Sequence, residues 1–286
     1  MSQTSPPHFA VYAPNFGLFG DVERTVELAR MAEEAGWDGW FTWDNLLWET
    51  DEPLAEPWVT LAAIAATTQR IRLGPLVTPL PRHRPWLIAR AAVTLDHLSR
   101  GRLILGAGLG GDWYRELSAF GEQQEQRALG AMTDEGLELI TQLWTGKPVD
   151  FIGATYRAAD VRFLPRPLQR PRIPIWVAAV WPSRRPLARA ARWDGVVPIA
   201  VEGLLHAEQV RDVVTTIRTE QVALSGERRF DVAVMGRFRG LDEEGRARAV
   251  AAMVDVGMTW WLESFGPADD AEKVERVIRQ GPPTVR

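Results

Sequence analysis

Short runs of β-forming residues alternate with longer amphipathic helical patterns along the whole of this chain, and few folds accommodate that order. The strand-like runs are 9–13 (FAVYA), 38–43 (DGWFTW), 71–77 (IRLGPLV), 102–107 (RLILGA), 175–179 (IWVAA), 195–199 (GVVPI), 231–235 (DVAVM) and 259–263 (TWWLE). Helical periodicity follows each of them, over 21–36, 56–68, about 85–98, 126–144, 183–192, about 205–224, 242–256 and 268–279. Start and stop signals agree: Asp21 stands where an N-cap is needed, Pro57 in a first turn, and Gly36 and Gly101 where helices stop. Eight βα units in 286 residues predict a closed (β/α)8 TIM barrel, one domain over 1–286, with an open doubly wound sheet as the alternative. The alternation lapses between about residues 148 and 174, where prolines at 165, 167 and 171 and short extended pieces read as an insertion carried by the barrel.

Composition removes several classes of function. With 33 basic against 37 acidic side chains, the chain lacks the concentrated basic footprint of a nucleic-acid binder. It has no Cys, hence no disulfide framework, thiolate metal site or Cys nucleophile. Its four histidines, His8, His83, His97 and His206, form no closely spaced ligand pair, so no metal centre is expected. The longest apolar stretches break before the roughly 18 residues of a membrane span. Met1 to His8 lacks the charged start and apolar core of a signal peptide, so a cytoplasmic location is expected. A small-molecule substrate is the partner these exclusions leave.

In such a barrel the working groups lie where strands end and the following loops begin. After the second strand, Trp43, Asp44, Asn45 and Trp48 place an acid and an amide among rings, where a partly desolvated carboxylate moves a proton, binds a ligand or caps a helix. The turn after the third strand holds prolines at 75, 79, 81 and 85, which fix the backbone around Leu76, Val77 and Thr78 as a preformed wall. Arg82, His83 and Arg84 follow as local positive charge suited to an anion, or as a solvated basic loop. Glycines 106, 108, 110 and 111 lack the flanking features of a dinucleotide fingerprint, and indicate that something approaches this backbone closely. Trp113 follows them. Small residues at Ala178 and Ala179, then Val180 and Trp181 before a helix rich in arginine, suit a phosphate seat or close packing. Trp260 and Trp261 fall on opposite faces of the last strand, one toward the barrel and one toward the helices. The chain has no P-loop, no G-x-S-x-G elbow, no H-E-x-x-H, and no lysine at a strand end, since Lys147 and Lys273 lie elsewhere. A mouth rich in rings and poor in nucleophiles points to a cofactor that carries the reactivity.

The run EPWVTLAAIAATTQRIRLG (56–74) and the run TLDHLSRGRLILGAG (94–108) resemble the luciferase-like monooxygenase family. Later blocks are similar to it too: LWTG (143–146), PIWVAA (174–179), AARWDG (190–195) and GMTWW (257–261). The resemblance covers nearly the whole chain. It implies a (β/α)8 barrel with a flavin-type ring over the strand ends, backed by a non-proline cis peptide for which Leu76-Val77 is the matching pair. It also implies an acid-plus-histidine pair after strand two, matched by Asp44 and Asn45, so that the histidine is absent. At the family's paired phosphate-binding glycines this chain has Ala178 and Ala179.

The resemblance and the compact length imply an oxidoreductase that transfers a hydride between F420 and an apolar small organic substrate. On this reading Leu76, Val77, Thr78, Gly108, Ala178, Ala179, Val180 and Trp181 hold the cofactor. Asp44 and Asn45 are the catalytic candidates, Trp43, Trp48 and Trp113 shape the substrate pocket, and Arg82, Arg84, Arg184 and Arg185 meet the cofactor's anionic tail. The alternatives are an FMN-dependent monooxygenase and a protein that binds a flavin or F420 without turning it over. The family implies a homodimer.

Overall fold

The computed structural model describes residues 6–49, 51–224 and 229–284, so most of the polar start (1–5) lies outside the described residues. The first half of the chain supplies β1 (His8–Ala13), α1 (Val22–Glu34), β2 (Gly39–Thr42), α2 (Pro57–Thr67), β3 (Arg72–Pro75), β4 (Thr78–Pro79), α3 (Pro85–Leu98), β5 (Leu105–Gly108) and α4 (Gln126–Leu143). The second half supplies β6 (Val149–Ile152), β7 (Arg157–Val161), β8 (Ile175–Val180), α5 (Arg184–Ala191), β9 (Gly195–Ile199), α6 (Ala207–Leu224), β10 (Asp231–Gly236), α7 (Glu243–Val254), β11 (Trp260–Ser264) and α8 (Ala271–Gln280).

The strand order is β3-β2-β1-β11-β10-β9-β8-β5-β4, all parallel. β3 and β4 are two halves of one stave, interrupted at Leu76 and Val77, and a parallel bridge between Leu73 and Leu103 joins its lower half to the next stave. The ring is therefore the eight-stave (β/α)8 barrel, and the open-sheet alternative falls. The expected third strand, 71–77, splits because the chain bends out of the ladder at that point. The insertion contains β6 and β7 as an antiparallel hairpin outside the barrel sheet.

Alternation along each stave sorts the apolar residues into two cores. Inside the barrel lie Ala10, Phe41, Leu76, Ile104, Trp176, Val197, Ala233, Trp260 and Leu262. Between staves and helices lie Phe9, Val11, Leu105, Val177, Ala179 and Trp261 among many others. Trp260 thus faces inward and Trp261 outward, stacked on Phe238 at 4.7 Å. Phe41, Trp176 and Trp260 meet one another at 5.4–5.9 Å between ring centroids, and this aromatic plug fills the lower barrel.

Two charged residues of the family-like run serve the fold. Arg102, nearly buried, donates to the carbonyls of Ala65, Thr68, Ile71 and Ser99 and to Thr68 Oγ1, which ties the end of α2 to the start of β3. Asp96 accepts from the Leu168 amide at 2.7 Å and from Gln169 Nε2 at 2.8 Å, which pins the insertion to α3. Among the described residues no helix is long and apolar enough to cross a membrane, and no cluster of three or more His, Asp or Glu is arranged to hold a metal ion.

Candidate active site

A cavity of about 530 Å3 opens at the C-terminal ends of the staves, above the aromatic plug. A larger hollow of about 730 Å3 lies at the opposite end, where barrels of this kind carry stability and not chemistry. The upper cavity draws on six staves and their loops: Tyr12 from β1, Trp43, Asp44 and Asn45 after β2, Leu76 and Val77 from the stave of β3 and β4, Gly108 to Gly111 from β5, and Ala178, Val180, Ser183 and Ile199 from β8, the start of α5 and β9.

The Leu76-Val77 peptide is cis, at the pair that the family resemblance singles out. The Tyr12 hydroxyl donates to the Leu76 carbonyl at 2.9 Å, and burial pushes its pKa well above the usual phenol range, so it acts here as a neutral donor. The glycines of β5 make room for this bent segment. A Cβ on Gly106 would lie 2.1 Å from the Pro75 carbonyl oxygen, and one on Gly108 would lie 2.5 Å from Val77 Cγ2. What approaches the glycine-rich backbone is thus the neighbouring stave, and at Gly108 the bare backbone also forms part of the cavity floor.

One side of the cavity is a buried charge network. Arg82 is ion-paired with Asp44 and lies 3.5 Å from Glu116 Oε1, and all three side chains are at most 9% exposed. Asp44 Oδ2 also accepts from Thr78 Oγ1 at 2.8 Å, so both of its oxygens are engaged. Burial pushes the Asp44 carboxyl upward, while Arg82 and Thr78 pull it back. Glu116 Oε1 accepts from the amides of Leu46 and Leu47. Asn15 braces the same loop, donating to the carbonyls of Asn45 and Ala55 at 2.8 Å and accepting from the Asn45 amide. The side-chain amide of Asn45 makes no hydrogen bond among the described residues and faces the cavity.

Of the residues singled out in the sequence, Trp43, Asp44, Asn45, Leu76, Val77, Gly108, Trp113, Ala178 and Val180 line one cavity. Four do not. Thr78 is fully buried on Asp44, and Ala179 points outward into the helix-facing core by strand alternation. Trp181 packs against that outer core with Nε1 on Asp212 Oδ2 at 2.8 Å. Trp48 stacks on Phe16 at 3.9 Å and meets Tyr114 at a tilt, with ring centroids 4.3 Å apart, behind the wall. Arg82 is likewise not free to meet an anion, because two carboxylates enclose it. Sequence reasoning misses Tyr12, Tyr114 and Glu116. Tyr12 carries a signal, since it shares the inward face of β1 with Ala10, whereas Glu116 sits in an irregular loop and carries none.

The residues present fit a planar, mostly apolar ring with an anionic tail. The floor is bare at Gly108. Trp43 lines the cavity, and its Nε1 is shielded from solvent with no acceptor among the described residues. Ser183, at the N-cap of α5, makes no side-chain cap bond, so its hydroxyl and the first amides of α5 are available to an anion.

A closed (β/α)8 barrel with a ring-sized apolar mouth defines a cofactor-dependent barrel protein. Residues 4–280 match the family described as luciferase-like monooxygenase, and the chain belongs to that family. It is 37% identical to an F420-dependent glucose-6-phosphate dehydrogenase of Nakamurella multipartita, over 97% of this chain and 89% of that one. An F420-dependent hydroxymycolic acid dehydrogenase of Mycobacterium tuberculosis is 33% identical over 58% of this chain and 46% of its own length. Among solved structures, an F420-dependent secondary alcohol dehydrogenase in complex with an F420-acetone adduct superposes with a TM-score of 0.83, covering 96% of this chain and 98% of that one at 14% identity. That likeness is one of fold.

Proposed function

We propose that this protein is an F420-dependent oxidoreductase that transfers a hydride between the deazaflavin and a small organic substrate. The observation that carries the reading is the 530 Å3 mouth cavity, which offers a bare floor at Gly108 and an apolar wall of Leu76, Val77, Ala178 and Val180 at the strand ends. The relative matched over 97% of this chain, named as an F420-dependent dehydrogenase, supports F420 over FMN. Leu76, Val77, Gly108, Ala178 and Val180 would hold the ring. Ser183 and the first amides of α5 would take the phosphate, and the exposed Arg185 lies beside them for the anionic tail. When bound, the deazaflavin supplies the hydride chemistry that no side chain here provides. The protein's part is to orient both partners and to keep water from the reacting atoms.

The assembly we infer is a homodimer in the cytoplasm. Val59 on α2 and Leu87 on α3, both more than 60% exposed on neighbouring helices, offer an apolar face for the second copy.

Titrating the purified protein with F420 and with FMN, and following tryptophan fluorescence, tests the assignment. Saturable quenching by F420 is expected. Tight binding of FMN with none of F420 would overturn it.

A further inference from the structure

The wall of the mouth cavity holds two carboxylates, Asp44 and Glu116, and no Lys, Arg or His among the described residues. Arg82, behind this wall, is already paired with both carboxylates, and the anion seat at Ser183 is read as the cofactor's, so a phosphorylated or carboxylated substrate would find no free cation here, which disfavours it. The two carboxylates are not equivalent. Both Asp44 oxygens are taken, one by Arg82 and one by Thr78. On Glu116, Oε1 takes the Leu46 and Leu47 amides and Arg82, and Oε2 has no hydrogen-bond partner among the described residues. The residue is 5% exposed and lines the cavity. Its carboxylate is therefore held in place by one oxygen while the other is left open to the pocket.

A charged acceptor oxygen of this kind recognises one complement, a hydrogen-bond donor on a neutral ligand. We infer that Glu116 Oε2 anchors the hydroxyl group of a neutral substrate, and that the substrate class of this enzyme is an uncharged hydroxyl-bearing organic molecule and not a phosphate ester. The inference rests on the function proposed above, because the cavity is read as the mouth in which substrate meets F420. It also separates this chain from the activity printed for its glucose-6-phosphate dehydrogenase relative.

Three probes with one ring and different polar groups test this by calorimetry on the F420-loaded protein: phenol, anisole and phenyl phosphate. Phenol is expected to bind about tenfold or more tightly than anisole, the size of a charge-assisted hydrogen bond. Phenyl phosphate is expected to bind no better than anisole. Glu116→Gln should reduce the phenol preference, read as the ratio of phenol to anisole affinity within the same F420-loaded protein, to about threefold or less. A wild-type co-crystal with phenol, in which the phenol oxygen lies within hydrogen-bond distance of Oε2, gives the same answer without the variant. Equal binding of phenol and anisole, a preference that survives Glu116→Gln, or phenyl phosphate as the tightest probe would overturn the inference while the F420 assignment stands. Failure of the wild-type protein to bind F420 would overturn the proposed function and this inference together.

Discussion

The Tyr12 hydroxyl donates a 2.9 Å hydrogen bond to the Leu76 carbonyl oxygen across 64 positions of sequence. It joins the first stave to the bent segment that forms the cavity floor, and it satisfies a carbonyl that the barrel ladder leaves over. Tyr12→Phe keeps the ring and removes the donor. Stability should fall by about 1–2 kcal/mol, the cost of leaving a buried acceptor unpaired. Urea denaturation measures this, and an unchanged midpoint would show that the bond contributes nothing.

Arg82 is enclosed by Asp44 and Glu116 in a setting with little solvent. Arg82→Ala leaves two carboxylates buried together without their cation, and should cost about 3–5 kcal/mol near neutral pH. Burial pushes the Asp44 carboxyl upward, so acidification removes its charge and the gap to wild type should narrow as pH falls. A gap that is the same at pH 5 and pH 8 would contradict this account.

Gly108 tolerates no side chain without displacement of Val77, because the added carbon would sit 2.5 Å from Val77 Cγ2. Gly108→Ala should push Val77 into the cavity and weaken F420 binding by about tenfold or more, in keeping with the 1–3 kcal/mol of overpacking. Circular dichroism should show an intact barrel. Unaltered F420 affinity would place the ring elsewhere.

Two buried groups set opposing pH dependences of stability. Burial pushes Glu263, on the helix-facing side of β11, up to about 7 from 4.5. Between those values the folded state keeps a proton that the unfolded state has lost, so stability falls as pH rises, by about 3 kcal/mol at most. His83 is held down at about 4 from 6.5, by burial and then by Arg82. Over that window the unfolded state binds the extra proton, so stability rises with pH. Denaturant midpoints from pH 4.5 to 6.5 should therefore slope upward in Glu263→Gln and downward in His83→Asn. Parallel slopes in the two variants would refute the assignment.

The order of elements was legible in the sequence because it is local. Helix bounds such as Pro85–Leu98 and strand bounds such as Gly195–Ile199 follow from periodicity, caps and turns within one segment. That Trp260 and Trp261 take opposite faces followed from the two-residue repeat of a strand, and which of them faces the barrel came from the structure. The family resemblance located the Leu76-Val77 bond. What each mouth residue does was settled only in three dimensions. Arg82 reads as a free cation until Asp44 and Glu116, 38 and 34 positions away, are seen to close around it. Ala179 reads as a partner of Ala178 until the alternation of β8 turns one outward and the other into the cavity. Periodicity reports which face a residue occupies, but partnership between charges depends on distances through space, and only the closed barrel brings those loops together.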